Sequence, residues 1–319
     1  MRCRSKTNKH QWKRRLIWAA SFLILASGLL ALLVFRRVYF SNQDYPRLAR
    51  LQWNHSAASA PLPDRPLFIG HRGAAMASTT NDLLIGNTGS AIQLAIDAGA
   101  EWIEIDIRRS SDGHLVVFHD ETIDLKTTGV GKVAALTLDQ LQAVEVLTDP
   151  AERILTLNEV FETYHAGDRK WILDIKARGI RDQLLEWIEH KIPKDQIILF
   201  GRFDILQEYA SSDYAMGYTA ISQHSTDRLK MILAPSSLIQ RCELLDCDYL
   251  VLPVGHASRS LVASATERHI EVWVYGTDDE SDIRHLTGSG VRGFIIDRPQ
   301  STIPLFASDG VEPTPDVDH

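Results

Sequence analysis

The 319-residue chain has only three cysteines, Cys3, Cys242 and Cys247. That number excludes a fold stapled by several disulfides. Cys242 and Cys247 either pair in an oxidising compartment or stay as two free thiols in or near a helix. The sequence has no long internal repeat and no low-complexity tract, which excludes solenoid and fibrous architectures. No glycine-rich nucleotide loop follows the first strand-like run, which counts against a doubly wound nucleotide-binding sheet. Residues 1–37 contain no acid at all and nine Lys or Arg. Removing those nine from the 34 bases leaves 25 against 41 acids, so the rest of the chain sits near -16. Such a body lacks the basic surface that nucleic-acid binding requires.

What the N-terminus does contain is an uncharged run, Leu16–Phe35, LIWAASFLILASGLLALLVF. It is long enough to span a bilayer as a helix. No A-x-A-like cleavage site follows it; Arg36 and Arg37 do. This favours an uncleaved anchor over a removed signal peptide. The more basic flank is the N-terminal one, which places residues 1–15 in the cytoplasm and the bulk of the chain outside it, in the periplasm if the source is bacterial. Residues 36–65 read as a linker, 66–305 as the folded body and 306–319 as a disordered tail.

Across the body, strand-like runs alternate with helix-compatible stretches. The runs are LFIGHR (67–72), WIEIDIR (102–108), LVVFHD (115–120), WILDIK (171–176), IILFGR (197–202), YAMGYT (214–219), YLVLPV (249–254), EVWVYG (271–276) and GFIIDR (293–298). Alternation of this kind predicts βα units and a parallel sheet. Only RSSDGH separates the second run from LVVFHD, too little for a parallel crossover, and it carries the turn dipeptide Asp112-Gly113. LVVFHD is therefore predicted as a hairpin excursion. The eight remaining runs predict a (β/α)₈ TIM barrel, with an open doubly wound sheet as the alternative.

Ionisable residues gather at the C-terminal ends of these runs: His71 and Arg72, then Glu104 and Asp106, then Asp174 and Lys176. Barrel enzymes build their sites at that face. Residues i and i+2 of a strand share a face, so Glu104 points with Asp106 and Asp174 with Lys176, while Ile103, Ile105 and Ile107 take the other side. Three converging carboxylates repel one another, and a hard divalent cation, Mg²⁺ or Ca²⁺, relieves that. Structural ion pairs with Arg and Lys are the competing account. His71 and His119 lack the close spacing of zinc motifs and are candidate acid/base groups instead.

FIGHRG, NTGSAIQLAIDAGAEWIEIDIRRSSDGHLVVFHDETID and TTGVGKV together resemble the glycerophosphodiester phosphodiesterase family. Its H-R…E-x-D…H signature is matched by His71-Arg72, Glu104-Ile105-Asp106 and His119, with looser matches at 154–161, 171–176, 272–276 and 290–299. The resemblance covers roughly residues 66–300. It implies a barrel of the phospholipase C-like type that hydrolyses phosphodiesters with a divalent metal. Glu104, Asp106 and Asp174 are then metal ligands, His71 and His119 the acid/base pair, and Arg72 and Lys176 phosphate contacts. The implied substrates are glycerophosphodiesters or lysophospholipid-like diesters, attacked by water or by the substrate's own neighbouring hydroxyl.

Three departures stand out. Gly86 occupies the place of a family glutamate that helps bind the metal, with Asp82 as a candidate substitute. Asp174 stands where Glu is common, and Leu125, beside Lys126, where Arg is frequent. The lost glutamate motivates a second reading, a degenerate barrel that binds phosphorylated lipid or polymer without turnover. A metal-independent lyase on the same fold is a third.

Overall fold

The computed structural model describes residues 65–75, 85–220 and 233–307, with Met231 and the backbone of two short strands at 78–79 and 82–83. The expected anchor at 16–35, most of the expected linker, the side chain of Asp82 and residues 308–319 lie outside the described residues. Among the described residues, no helix is long and apolar enough to cross a membrane.

Eight parallel strands form the body: β1 (Leu67–Gly70), β2 (Trp102–Arg109), β4 (Lys170–Ile175), β5 (Ile197–Gly201), β6 (Ala215–Thr219), β7 (Tyr249–Pro253), β8 (Glu271–Tyr275) and β9 (Gly293–Ile296). β3 (Leu115–Val117) stands apart, antiparallel to β2, with Ile107 opposite Val117 and Arg109 opposite Leu115. The sheet closes because β1 pairs with both β9 and β2, Leu67 opposite Gly293 and Ile69 opposite Trp102. The architecture is thus the eight-stranded barrel that the alternating runs predict, and LVVFHD is the hairpin excursion rather than a stave. The strand ends differ slightly from expectation. β1 stops at Gly70, and His71 and Arg72 fall in the turn beyond it, Arg72 with a positive φ of 52°.

Alternation along β2 explains how one strand serves two environments. Ile103, Ile105 and Ile107 are fully buried in the layer between sheet and helices. Trp102 points inward and joins Ile69, Ile172, Ile198, Phe200, Val251, Trp273 and Ile295 in the barrel's own apolar floor. Two glycines on neighbouring staves make room for the largest rings there. A Cβ on Gly217 would lie 2.2 Å from the Phe200 ring, and one on Gly293 would lie 2.6 Å from Trp273. Above this floor the same inward face carries Glu104 and Asp106, so the interior changes from apolar to charged within a few residues of strand.

The helices α1 (Gly89–Asp97), α2 (Leu157–Tyr164), α3 (Arg181–Lys191), α4 (Ser236–Leu245), α5 (Arg259–Thr266) and α6 (Glu280–Thr287) cover the outside. Cys242 lies within α4, and Cys242 and Cys247 are free, buried thiols. The start of α1 is tied to the excursion: the Glu152 carboxylate accepts from Gly89 N (2.8 Å) and Ser90 N (3.2 Å). A negative charge there suits the positive end of a helix. Phe306, at the edge of the expected tail, is buried and packs on Phe68 at 5.1 Å between ring centroids.

A capping box opens α2, in which Thr156 Oγ1 accepts from Glu159 N while the Glu159 carboxylate accepts from Thr156 N at 2.8 Å. Burial alone would raise the pKa of Glu159, but Arg153 at 2.7 Å and the Thr156 donors outweigh it and bring it down to about 2. Because the folded value lies below the unfolded one, this stabilisation is complete above the unfolded carboxylate pKa and is lost as pH falls toward about 2. Glu159→Gln is expected to flatten the acid limb of the stability–pH curve below the normal Glu range. Urea melts at stepped pH values check this, and parallel curves for the two proteins would contradict it.

Candidate active site

The site is assembled just beyond β1 and β9, at the end of β4 and on the middle of β2. Glu104 and Asp106 lie inside that strand rather than at the end expected for them, because β2 runs on to Arg109 to pair with β3. Asp106 and Asp174 are register partners on β2 and β4, and Glu104 lies one inward position below Asp106. All three are buried, and one carboxylate oxygen from each lies within 4.8 Å of the others. Lys176 follows β4, its backbone N–H held by Ile107 O, and its Nζ reaches Asp174 Oδ2 at 2.6 Å and Asp106 Oδ1 at 3.1 Å. Arg72 Nε approaches the other oxygen of Asp106 at 3.2 Å. The left-handed backbone of Arg72 turns its own N–H onto Glu104 Oε2, 2.7 Å away. A bulky residue adopts that conformation only where its surroundings enforce it, and such strain gathers at functional sites.

Asn87 completes this ring. Its Nδ2 donates to Asp106 Oδ2 at 2.7 Å, and its Oδ1 accepts from the backbone N of Asp106 at 3.1 Å. Its backbone is also left-handed, with φ 69°, and its N–H donates to Arg72 O at 2.8 Å. One residue back, a Cβ on Gly86 would lie 2.6 Å from Arg72 Cβ and 3.1 Å from Ala75 Cα. Gly86 therefore does more than lack a carboxylate. Its bareness lets the Arg72 side chain lie flat against the loop.

Electrostatics divide the three acids. Burial, and then the charges of Asp106 and Asp174, push the Glu104 carboxyl well above its usual range. Burial would do the same to Asp106, but Lys176 and Arg72 outweigh it and hold Asp106 below the carboxylate range. Burial likewise opposes the Lys176 ammonium, yet Asp174 and Asp106 keep it charged beyond the ordinary lysine range. Two cations thus face three carboxylates, and the uncompensated one is Glu104. Its Oε1 is buried without a hydrogen-bond partner. An orphaned carboxylate oxygen inside an all-oxygen cluster is the donor set of a hard divalent cation, so the residues present fit a metal of that kind.

Two histidines flank the cluster, each held by a carboxylate. His71 Nδ1 contacts Asp297 Oδ1 at 2.5 Å, and Asp297 follows the last stave, β9. His119 Nδ1 contacts Asp120 Oδ1 at 2.6 Å, and Lys126 Nζ holds the other Asp120 oxygen at 3.0 Å. Arg108 donates twice to the His119 carbonyl, at 2.9 and 2.7 Å, and Phe118 N donates to Asp106 O, so the excursion is fastened to β2 beside the acids. Burial lowers the His119 pKa, with Asp106 partly restoring it. The ordinary cost of burying Asp297 and Asp120 is likewise outweighed by their bonds to His71 and His119.

All seven residues singled out from the sequence, His71, Arg72, Glu104, Asp106, His119, Asp174 and Lys176, occur in this one region. Lys176 is drawn further into the acids than a free phosphate contact would be. Sequence reasoning missed Asn87, Asp297 and the role of Asp120. For Asp297 the signal was present, since it is an acid within the strand-like run GFIIDR as Glu104 and Asp106 are within WIEIDIR. Asp120 is the immediate neighbour of His119. Asn87 gave no signal beyond its place in the matching segment.

Residues 71–301 match the profile of the glycerophosphoryl diester phosphodiesterase family. A glycerophosphodiester phosphodiesterase of Caldanaerobacter subterraneus is 26% identical over 267 residues, covering 77% of this chain and all of that protein. A Thermotoga maritima glycerophosphodiester phosphodiesterase of known structure is 26% identical with a TM-score of 0.61, covering 76% of this chain and 98% of that one. An Oleispira antarctica phosphodiesterase, solved with its product sn-glycerol-3-phosphate, is similar in fold at 23% identity and a TM-score of 0.63, covering 76% and 97%. With the signature residues converging at the mouth of the expected barrel, this chain belongs to the glycerophosphoryl diester phosphodiesterase family of phosphoric diester hydrolases.

Proposed function

We propose that this site hydrolyses glycerophosphodiesters, or related lipid head-group diesters, to an alcohol and a phosphomonoester. The observation that carries the reading is the pair of carboxylate-held histidines set beside a buried triad with an unmatched oxygen. Glu104, Asp106 and Asp174 would hold a divalent cation, which supplies Lewis-acid stabilisation of charge on the phosphoryl oxygens. Arg72 adds positive charge at the same place, as does Lys176.

The histidines handle the protons. Asp297 and Asp120 each engage a ring Nδ1, which leaves Nε2 as the nitrogen that would exchange a proton with substrate. Burial favours the neutral ring of His119, the form that accepts a proton from the nucleophile. His71 then gives a proton to the departing alkoxide as the bond between phosphorus and that oxygen breaks. The nucleophile is water, or the substrate's own hydroxyl by way of a cyclic phosphate. Asp297 and Asp120 act through the histidines and are positioning residues. The companion proposal is that residues 16–35 anchor the chain in a membrane with residues 1–15 cytoplasmic, and that the barrel works outside the cytoplasm, periplasmic in a bacterium. Its support is the uncharged run with basic flanks.

A binder without turnover is favoured by one observation, the absence of space for a carboxylate at Gly86. Two acid/base groups, each with its own orienting carboxylate, favour the enzyme, because a binder gains nothing from them.

Turnover of glycerophosphodiesters by the full chain is expected to require Mg²⁺ or Ca²⁺ and to stop in excess chelator. His119→Ala is expected to lower kcat by about 10²–10⁴-fold. Asp297→Asn is expected to cost less, with a shifted pH–rate profile that a merely structural loss would not produce. Absence of turnover with every divalent ion, from folded protein, would transfer the case to the binder. Metal affinity offers a check independent of activity. In calorimetric titration, Glu104→Gln is expected to bind Mg²⁺ or Ca²⁺ at least about tenfold more weakly, a difference of about 1.4 kcal/mol. Equal affinity would remove Glu104 from the ligand set.

A further inference from the structure

Five large apolar side chains stand exposed among the described residues, and three of them belong to the excursion that carries His119. Leu125 is 87% exposed, Val130 77% and Leu147 43%. Leu125 and Val130 sit on one closed loop. Ile123 N donates to Gly131 O at 2.9 Å, Gly131 N donates to the Asp124 carboxylate at 2.6 Å, and Thr122 bridges Lys132. Leu147 lies alongside, its N–H bonded to Lys126 O at 2.9 Å.

The loop cannot fold these side chains away. Ile123 is buried beneath it, and its carbonyl already accepts from Lys126 N, Thr127 N and Thr127 Oγ1. Two ion pairs close within the loop, Glu121 with Lys132 at 2.7 Å and Asp120 with Lys126 at 3.0 Å, while the exposed Asp124 carboxylate is bonded to Gly131 N and Glu145 is exposed nearby. What the loop presents outward is therefore led by the large apolar side chains Leu125 and Val130, with two carboxylates beside them and no unpaired cation among the described residues of the loop. That surface suits hydrocarbon better than a charged partner. The site lies at the root of the same loop, because Lys126 holds Asp120 and Asp120 holds His119.

The chain outside the described residues says where hydrocarbon is found. The apolar run 16–35 is followed by 29 residues, 36–64, before the body begins at Arg65 and β1. Fully extended, that stretch reaches roughly 100 Å. A body of this size is about 45 Å across, so the mouth can turn to face the bilayer that holds residues 16–35. We propose that Leu125, Val130 and Leu147 form a lipid-insertion tip, which enters the apolar layer of that bilayer and holds the barrel mouth against lipid-borne diesters. The proposal takes its purpose from the phosphodiesterase and anchor readings, but its first test needs no turnover.

The full chain carrying Cys3→Ser and Val130→Cys, labelled at position 130 with an environment-sensitive dye, would be reconstituted in vesicles of phosphatidylcholine alone. The comparison is the same dye at Asp168→Cys, an exposed position in the turn before β4 at the opposite end of the barrel. At position 130, emission is expected to be quenched by lipids with spin labels in their acyl chains and shielded from aqueous iodide, little changed by salt. At position 168 the reverse is expected. Equal iodide access at both positions would overturn the proposal, whether or not the protein turns over any diester. In the kinetic arm, Leu125→Ser/Val130→Ser is expected to lower kcat/KM on vesicle-borne diester about tenfold or more, since two large apolar side chains no longer leave water for the bilayer. The same variant should leave a soluble glycerophosphodiester within about twofold of the parent. An equal loss on both substrates would count against the tip and assign the loop a structural role. Inactivity of the parent on both would defeat the enzyme reading and leave the dye result to decide the tip.

Discussion

Everything at the barrel mouth answers one electrostatic constraint: three carboxylates buried within 4.8 Å of one another cannot all be charged without compensation. Lys176 and Arg72 supply two positive charges, and both converge on Asp106, the best compensated of the three. Glu104 is left over, with one oxygen bonded by the Arg72 backbone and the other bonded by nothing. A proton relieves that charge at a cost in acidity. A divalent cation relieves it by direct coordination. The neighbouring residues are arranged around this remainder. Asn87 fixes Asp106 from two sides, and the Arg72 backbone accepts a left-handed conformation to bring its amide onto Glu104.

The fold makes the constraint affordable by placing it at a boundary. Below Glu104 the interior is filled by Trp102, Phe200, Trp273 and aliphatic side chains, with Gly217 and Gly293 bare so that the rings fit. This floor keeps water from entering beneath the acids and fixes the staves that present them. Outside, Ile103, Ile105 and Ile107 lock the same strand against the helices. A strand packed on both faces holds its charged positions to a fixed geometry, which a catalytic constellation requires.

Much of this was legible in the sequence. The alternation of strand and helix, the short RSSDGH gap and the period-2 pattern of WIEIDIR led to the barrel, the hairpin excursion and the inward acids. Chemistry that follows from a residue's own position was readable. Chemistry that depends on partners distant in sequence was not. Asp297 meets His71 only when the last stave joins the first. Lys126 reached attention only as the neighbour of Leu125, although it is the residue that holds Asp120. Gly86 was readable as a missing carboxylate, but its contact with Arg72 depends on a backbone conformation that composition does not reveal. The expected anchor at 16–35 lies outside the described residues and rests on the sequence alone.

The bond between His71 and Asp297 joins residues 226 positions apart. Glu104, Asp106 and Asp174 all emerge from the ribosome well before Asp297. At ordinary synthesis rates the interval is on the order of ten seconds. During it the chain holds its three clustered acids but lacks the carboxylate that engages its first histidine. The same stave that supplies Asp297 also closes the barrel through β1. Completion of the fold and engagement of His71 by Asp297 are therefore one event, so a chain that stops short of the last stave lacks both the closed barrel and the partner of its first histidine.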